Sequence, residues 1–223
     1  MLPLRFANKL HTPLQVLCLG SHPDDIEIGC GGTVLRILDE HDGVCVHWVV
    51  LSGNAERRVE AETSANRFLA KASRKNIILK DFRESFFPYT AVEIKEYFES
   101  LKHEFRPDLV FTHYRQDLHQ DHRVISELTW NTFRDHLILE YEIPKYDGDM
   151  AAPNIFVLLE ERTSRQKIDH ILDVFPSQRH HKWFSQDTFL SILRLRAIEC
   201  NSPSKYAEAF YCRKLLLTIS ESQ

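Results

Sequence analysis

At 223 residues, 43% hydrophobic and 27% charged, the chain has an ordinary globular composition and enough length to bury one sizeable core. A net charge of −4 excludes the overall positive field that draws a protein to nucleic acid. A short basic cluster, Arg179-His180-His181-Lys182, still reads as either a local anion site or a solvated surface.

The five cysteines are odd in number and widely spaced, with no CxxC pair, so no disulfide framework is expected and a reducing compartment is the default. Residues 1–15 lack the apolar stretch and small-residue cleavage site of a secretory signal. No apolar run reaches bilayer length. The expectation is a cytoplasmic protein without a membrane span.

In chain order, residues 14–20 read as a buried strand by length and apolar character. A glycine-rich turn and a helix over 32–40 follow, with Val34, Leu35 and Leu38 spaced to face a core. Residues 44–51 read as a second strand, 55–72 as a helix, 76–80 as a third strand and 91–105 as a helix. The Arg106-Pro107 step ends that helix, because the residue before a proline avoids helical angles. Residues 109–113 form a fourth strand and 123–134 another helix. Such alternation predicts an α/β fold, Rossmann-like in the broad sense, with a mostly parallel sheet between two helical layers.

Beyond this, residues 141–153 read as a long loop, 155–160 as a strand, 167–174 and 188–199 as helices, and 210–219 as a closing strand. No repeat, low-complexity tract or linker divides the chain. A single domain over 1–223 is expected, with a core in 1–135 and a less regular part in 136–223 that completes the fold and is a candidate contributor to a homo-oligomer interface.

Two polar segments follow strands. Ser21-His22-Pro23-Asp24-Asp25 comes directly after the first strand, and His119-Gln120-Asp121-His122 shortly after the fourth. Beyond the carboxyl ends of neighbouring parallel strands they would meet, where ligands bind in this architecture. Imidazole and carboxylate are zinc ligands, and catalytic zinc sites use three protein ligands with a position left open. His22, Asp25 and His122 would supply that set, leaving Asp24 and His119 for proton transfer. Taken singly, the first segment also reads as a helix cap and the second as a helix surface.

These residues resemble the PIG-L/LmbE family of zinc-dependent de-N-acetylases. The resemblance is carried by HPDDIEIGCGGT (22–33), the Arg57 to Glu60 step, RPDLVFTH (106–113) and HQDHR (119–123), and more weakly by YAEAF (206–210). Many members read HPDDE; here Ile26 stands at the last place and Glu27 follows, and no role is carried over to Glu27. The resemblance implies one Zn2+ per chain on His22, Asp25 and His122, with Asp24 as general base and a protonated His119 stabilising the oxyanion. It implies release of acetate from a small N-acetylated, sugar-containing substrate. The same His and Asp ligands would accept iron, cobalt or manganese.

Asp121 reads either as a carboxylate orienting an imidazole or as a helix N-terminal residue favoured by the dipole. His113 reads as a polar strand end. Arg57 and Phe87 are the substrate-contact candidates, the first for a hydroxyl or phosphate and the second for stacking on a sugar; a helix-surface arginine and a hydrophobic plug are the alternatives. Gly29-Cys30-Gly31-Gly32 also suggests a nucleotide-binding turn, but Val34 occupies the third glycine's place in G-x-G-x-x-G. Hydrolysis of another amide or an ester, and a non-enzymatic binding module, remain alternatives.

Overall fold

The computed structural model describes residues 3–4 and 13–217. Its elements begin with β1 (Gln15–Gly20), α1 (Asp25–Glu40), β2 (Cys45–Ser52), α2 (Ala55–Phe68), β3 (Arg74–Phe82) and α3 (Ala91–Glu104). They continue with β4 (Leu109–His113), α4 (Gln120–Thr132), β5 (Leu137–Tyr141), β6 (Ile155–Leu159), α5 (Glu161–Val174), α6 (Gln186–Glu199) and β7 (Tyr206–Tyr211). The seven strands form one sheet in the order β3-β2-β1-β4-β5-β7-β6. Strands β1 to β5 pair in parallel, and β7 runs antiparallel between β5 and β6.

The fold is therefore the expected α/β arrangement, with helices on both faces of a mostly parallel sheet. Side chains alternate strictly across that sheet, as the period of two in a strand requires. Val16 and Cys18 of β1 join the core shared with α1, α2, α5 and α6, whereas Leu17 and Leu19 join the core shared with α3 and α4. Both faces of β1 are buried, which explains its unbroken apolar run. No helix among the described residues is long and apolar enough to cross a membrane.

The topology decides where a ligand can bind. The chain builds outward from β1 through β2 to β3, then returns to lay β4 against the other side of β1. Connections on the two sides of β1 and β4 diverge, opening a crevice beyond their carboxyl ends. The segments after β1 and β4 line it.

Several boundaries differ from the sequence expectation, helices α4 and α5 starting three and six residues earlier among them, and three differences bear on the sheet and the polar loop. Helix α1 starts at Asp25, so glycines 29–32 lie inside it rather than in a turn beside the polar loop. Their reason is close packing: a β-carbon on Gly29 would come within 2.1 Å of the Tyr141 ring, and one on Gly32 within 2.5 Å of Leu159. Strand β5 was not predicted, its short span falling between a helix and a loop. The closing strand is Tyr206–Tyr211, not 210–219. The apolar triplet Leu215, Leu216 and Leu217 drew that expectation forward, yet all three are exposed, and Ile219 lies outside the described residues.

Residues 136–217 contribute three strands and two helices, joined to α1 by a buried ion pair. Lys167 of α5 donates to Glu208 Oε1 and to the Ile28 carbonyl, each at 2.6 Å. Glu208 also accepts from Gly32 N at 2.8 Å and from Thr33 N and Oγ1, both at 2.6 Å. Absence of a β-carbon at Gly32 is what lets a carboxylate reach the helix backbone.

Candidate active site

The turn after β1 is built by its own backbone and side chains. Asp24 caps α1 with φ 92°, in the left-handed region that a residue with a β-carbon enters at a cost. That twist turns the next residue inward, and Asp25 Oδ2 accepts from His22 N at 2.7 Å. Arg57 of α2 fastens the turn from outside, donating to the Pro23 carbonyl and lying 3.2 Å from Asp24 Oδ2. His22, Asp24 and Asp25 are all buried.

Helix α4 begins at Gln120, capped by His119, whose Nδ1 accepts from Asp121 N at 3.2 Å. A backbone N–H can only donate, so the remaining ring proton of a neutral His119 sits on Nε2. His122, one turn into α4, reaches across to His22, with Nε2 and Nδ1 3.2 Å apart.

Donor groups of three residues from the two segments converge. His22 Nδ1 lies 3.4 Å from Asp25 Oδ2, and His122 Nε2 lies 3.6 Å from Asp25 Oδ1. Each imidazole is aimed by a carboxylate on its other nitrogen: His22 Nε2 meets Asp121 Oδ2 at 3.0 Å, and His122 Nδ1 meets Asp117 Oδ2 at 2.9 Å. Asp121 is itself fixed by the backbone N–H groups of Ser85, at 2.6 Å, and Phe87, at 3.1 Å. Two imidazoles and a carboxylate at these separations are donor types that a divalent metal takes. Among the described residues, the donor atoms close enough to share one ion fall into two overlapping groups, His22 with His119 and His122, and Asp25 with His113 and His122.

Electrostatics agree with the geometry. Burial works against a charged His22, yet Asp25 and Asp121 outweigh it and raise its pKa to about 10. Burial, with His113 beside it, lowers His122 to about 3. Across their 3.2 Å contact a protonated His22 would donate from Nδ1 to Nε2 of a neutral His122. Burial opposes ionisation of Asp25, but the surrounding His122, His113 and His22 hold it well below the usual carboxylate range. Burial raises Asp24 well above that range, with Arg57 partly offsetting it. His119 is lowered by burial and by His22, so its ring favours the neutral state rather than the protonated one expected from the resemblance.

His113, at the end of β4, is close enough to belong to an alternative cluster with Asp25 and His122. Its Nε2, 3.2 Å from Asp25 Oδ2, accepts from Ser21 N at 3.0 Å, which occupies the one lone pair a ligand would use. The ring stacks on His122 with centroids 3.9 Å apart, so it braces that imidazole from beneath.

The two expected substrate contacts fare differently. Phe87 is wholly buried in the core shared with α3 and α4, its ring 6.1 Å from that of His22, so it has no free face for a sugar. This corrects the expectation: the ring plugs the floor beneath His22. Phe86 and the exposed Tyr89, rings 6.0 Å apart, are the aromatics of that loop within reach of solvent. Arg57 keeps one-tenth of its side chain exposed and is engaged with Pro23 and Asp24 rather than spread on the helix surface. Glu27 lies inside, both oxygens without hydrogen-bond partners, and burial raises its carboxyl to about 7. Asp117 was not assigned a role from sequence; its place two residues before His119 was the available signal.

A family model described as PIG-L, GlcNAc-PI de-N-acetylase, matches residues 17–133, just over half of the chain. The chain belongs to the PIG-L family. It is 33% identical over 107 residues to the diacetylchitobiose deacetylase of Thermococcus kodakarensis, a match covering 43% of this chain and 39% of that protein. The matched region thus spans well under half the length of that relative. Among solved structures, N,N'-diacetylchitobiose deacetylase from Pyrococcus horikoshii superposes with a TM-score of 0.66 at 24% identity, covering 89% of this chain and 83% of that one. GalB, the 4-carboxy-2-hydroxymuconate hydratase of Pseudomonas putida KT2440, superposes with a TM-score of 0.69 at 16% identity, covering 94% and 100%. At these identities the two structures share the fold and carry no more than that.

Proposed function

We propose that this chain is a zinc-dependent deacetylase that removes an N-acetyl group from a small sugar-containing substrate, releasing acetate and a free amine. The reading is carried by one observation, the convergence of His22 Nδ1, His122 Nε2 and the Asp25 carboxylate within 3.2–3.6 Å, with Asp24 next to them. Membership of the PIG-L family and likeness to a diacetylchitobiose deacetylase support the reaction class.

His22, Asp25 and His122 would hold the ion, which when bound supplies Lewis-acid chemistry toward an amide carbonyl and the attacking water. Asp24 takes the proton from that water. Its burial holds the carboxyl well above the ordinary carboxylate range, the direction that suits a group that must accept a proton and give it back. Arg57, 3.2 Å from Asp24 Oδ2, keeps that carboxylate aimed. His119, with its proton on Nε2, donates to the oxygen that gains charge as the amide carbon becomes tetrahedral. Asp24 or His119 then protonates the departing amine.

The test is acetate release by zinc-loaded protein from N-acetylated sugars offered free, nucleotide-linked and lipid-linked, with Asp24→Asn as control. Release lost in the control supports the reading. No release from protein that holds zinc transfers the site to another acyl group or another reaction.

A further inference from the structure

The loop between β5 and β6 reaches back to the candidate metal residues. Lys145, its side chain 11% exposed, places Nζ 2.9 Å from Asp117 Oδ2, the same oxygen that accepts from His122 Nδ1 at 2.9 Å. Asp149, one helical turn's spacing further on and 6% exposed, is ion-paired with the same ammonium. Its Oδ2 also accepts from Leu118 N at 2.7 Å. Asp117 Oδ1 meanwhile accepts from His119 N at 2.8 Å. The segment 117–119, which links Asp117 to His119, is thus clamped by a lysine and an aspartate from a loop that contributes no donor of its own.

We infer that Lys145, seated by Asp149, is a positioning residue that fixes the Asp117 carboxylate and through it the orientation of the His122 ring toward the metal. The Asp117 carboxylate is held by His119 N on Oδ1 and by the His122 ring and the Lys145 ammonium on Oδ2, and of these three partners the ammonium is the one that brings a full positive charge. Orienting groups one step behind a metal ligand typically change metal affinity by about 10–100-fold. This inference rests on the proposed ligand set of His22, Asp25 and His122, and it assigns to the loop a task that the ligand set alone leaves open.

The experiment is a Co2+ titration of the full chain, read by absorption, on wild type, Lys145→Met, Lys145→Arg and Asp149→Asn, with thermal unfolding of each metal-free protein alongside. Lys145→Met is expected to bind Co2+ about 10–100-fold more weakly, with an altered visible spectrum. Lys145→Arg keeps the positive charge beside Asp117 and should recover part of both, the rest being lost because a planar guanidinium does not reproduce the compact ammonium. Asp149→Asn should weaken binding in the same direction by less, and it decides the matter if Lys145→Met does not fold. Wild-type affinity and spectrum in folded Lys145→Met, or in Asp149→Asn when that variant is the arbiter, would overturn the assignment. Wild type that takes up no Co2+ would overturn the underlying metal-site reading as well.

Discussion

Replacing Glu208 by glutamine removes one charge and keeps the shape, and the surroundings of Glu208 make this a severe change. Oε1 accepts from Gly32 N and Lys167 Nζ, and Oε2 from Thr33 N and Thr33 Oγ1. A glutamine amide must turn its NH2 toward one of these donor pairs, so in either orientation a donor faces a donor. The Lys167 ammonium, 3% exposed, would lose its counter-charge in either orientation, keeping the Ile28 carbonyl and, in one of the two, the amide oxygen as neutral partners. Breaking a buried ion pair from one side typically costs 3–5 kcal/mol, the range expected for Glu208→Gln. At this chain length the melting temperature should then fall by roughly 6–20 °C. Urea unfolding with a fitted m-value is the assay, because it separates lost stability from a changed denatured state. A double variant, Lys167→Met with Glu208→Leu, should recover part of the loss by removing both charges together. A loss below about 1 kcal/mol for Glu208→Gln would refute the idea that this pair ties the C-terminal part to α1.

Three further outcomes are expected. Asp24→Asn should bind metal as wild type does while kcat falls at least ~100-fold, the usual loss when a general base is removed; equal turnover in both proteins would dismiss the base assignment. Metal uptake near neutral pH should displace about one proton, since His22 titrates at about 10 and must be unprotonated to ligate, whereas His122, at about 3, is already neutral. Affinity should therefore rise about tenfold per pH unit up to the His22 pKa, and calorimetry in buffers of differing ionisation enthalpy counts the protons; a heat independent of buffer contradicts this. Gly29→Ala should cost about 1–3 kcal/mol, because the new β-carbon meets the Tyr141 ring on the face of a fully buried side chain; unchanged urea midpoints would show that the contact relaxes freely.

Sequence patterns revealed those features that depend on local order. Residues 109–113 were bounded correctly because a proline precedes them and both faces of β4 are apolar. The segments at 21–25 and 119–122 stood out because acidic and imidazole side chains directly after buried strands have few structural reasons to be there. Pairings across the topology were not legible. Asp121 reads from sequence either as a carboxylate orienting an imidazole or as a helix N-terminal residue, and the fold decides for the first by setting it on His22 and bringing Ser85 and Phe87 over it. Lys145 and Lys167 look like ordinary loop and helix lysines until the fold sets Asp117 and Glu208 against them. The glycines at 29–32 misled for a definite reason, since glycine serves both a turn and a helix packed closely on a neighbour, and sequence spacing does not separate the two.

The account depends on one divalent ion held jointly by the segments after β1 and β4. Its most direct test is metal content by elemental analysis after zinc loading and exhaustive dialysis, for wild type and His122→Ala. The account predicts close to one zinc per wild-type chain and a large loss in the variant at unchanged fold by circular dichroism. Wild type that retains no metal, or His122→Ala that retains as much as wild type, would contradict it.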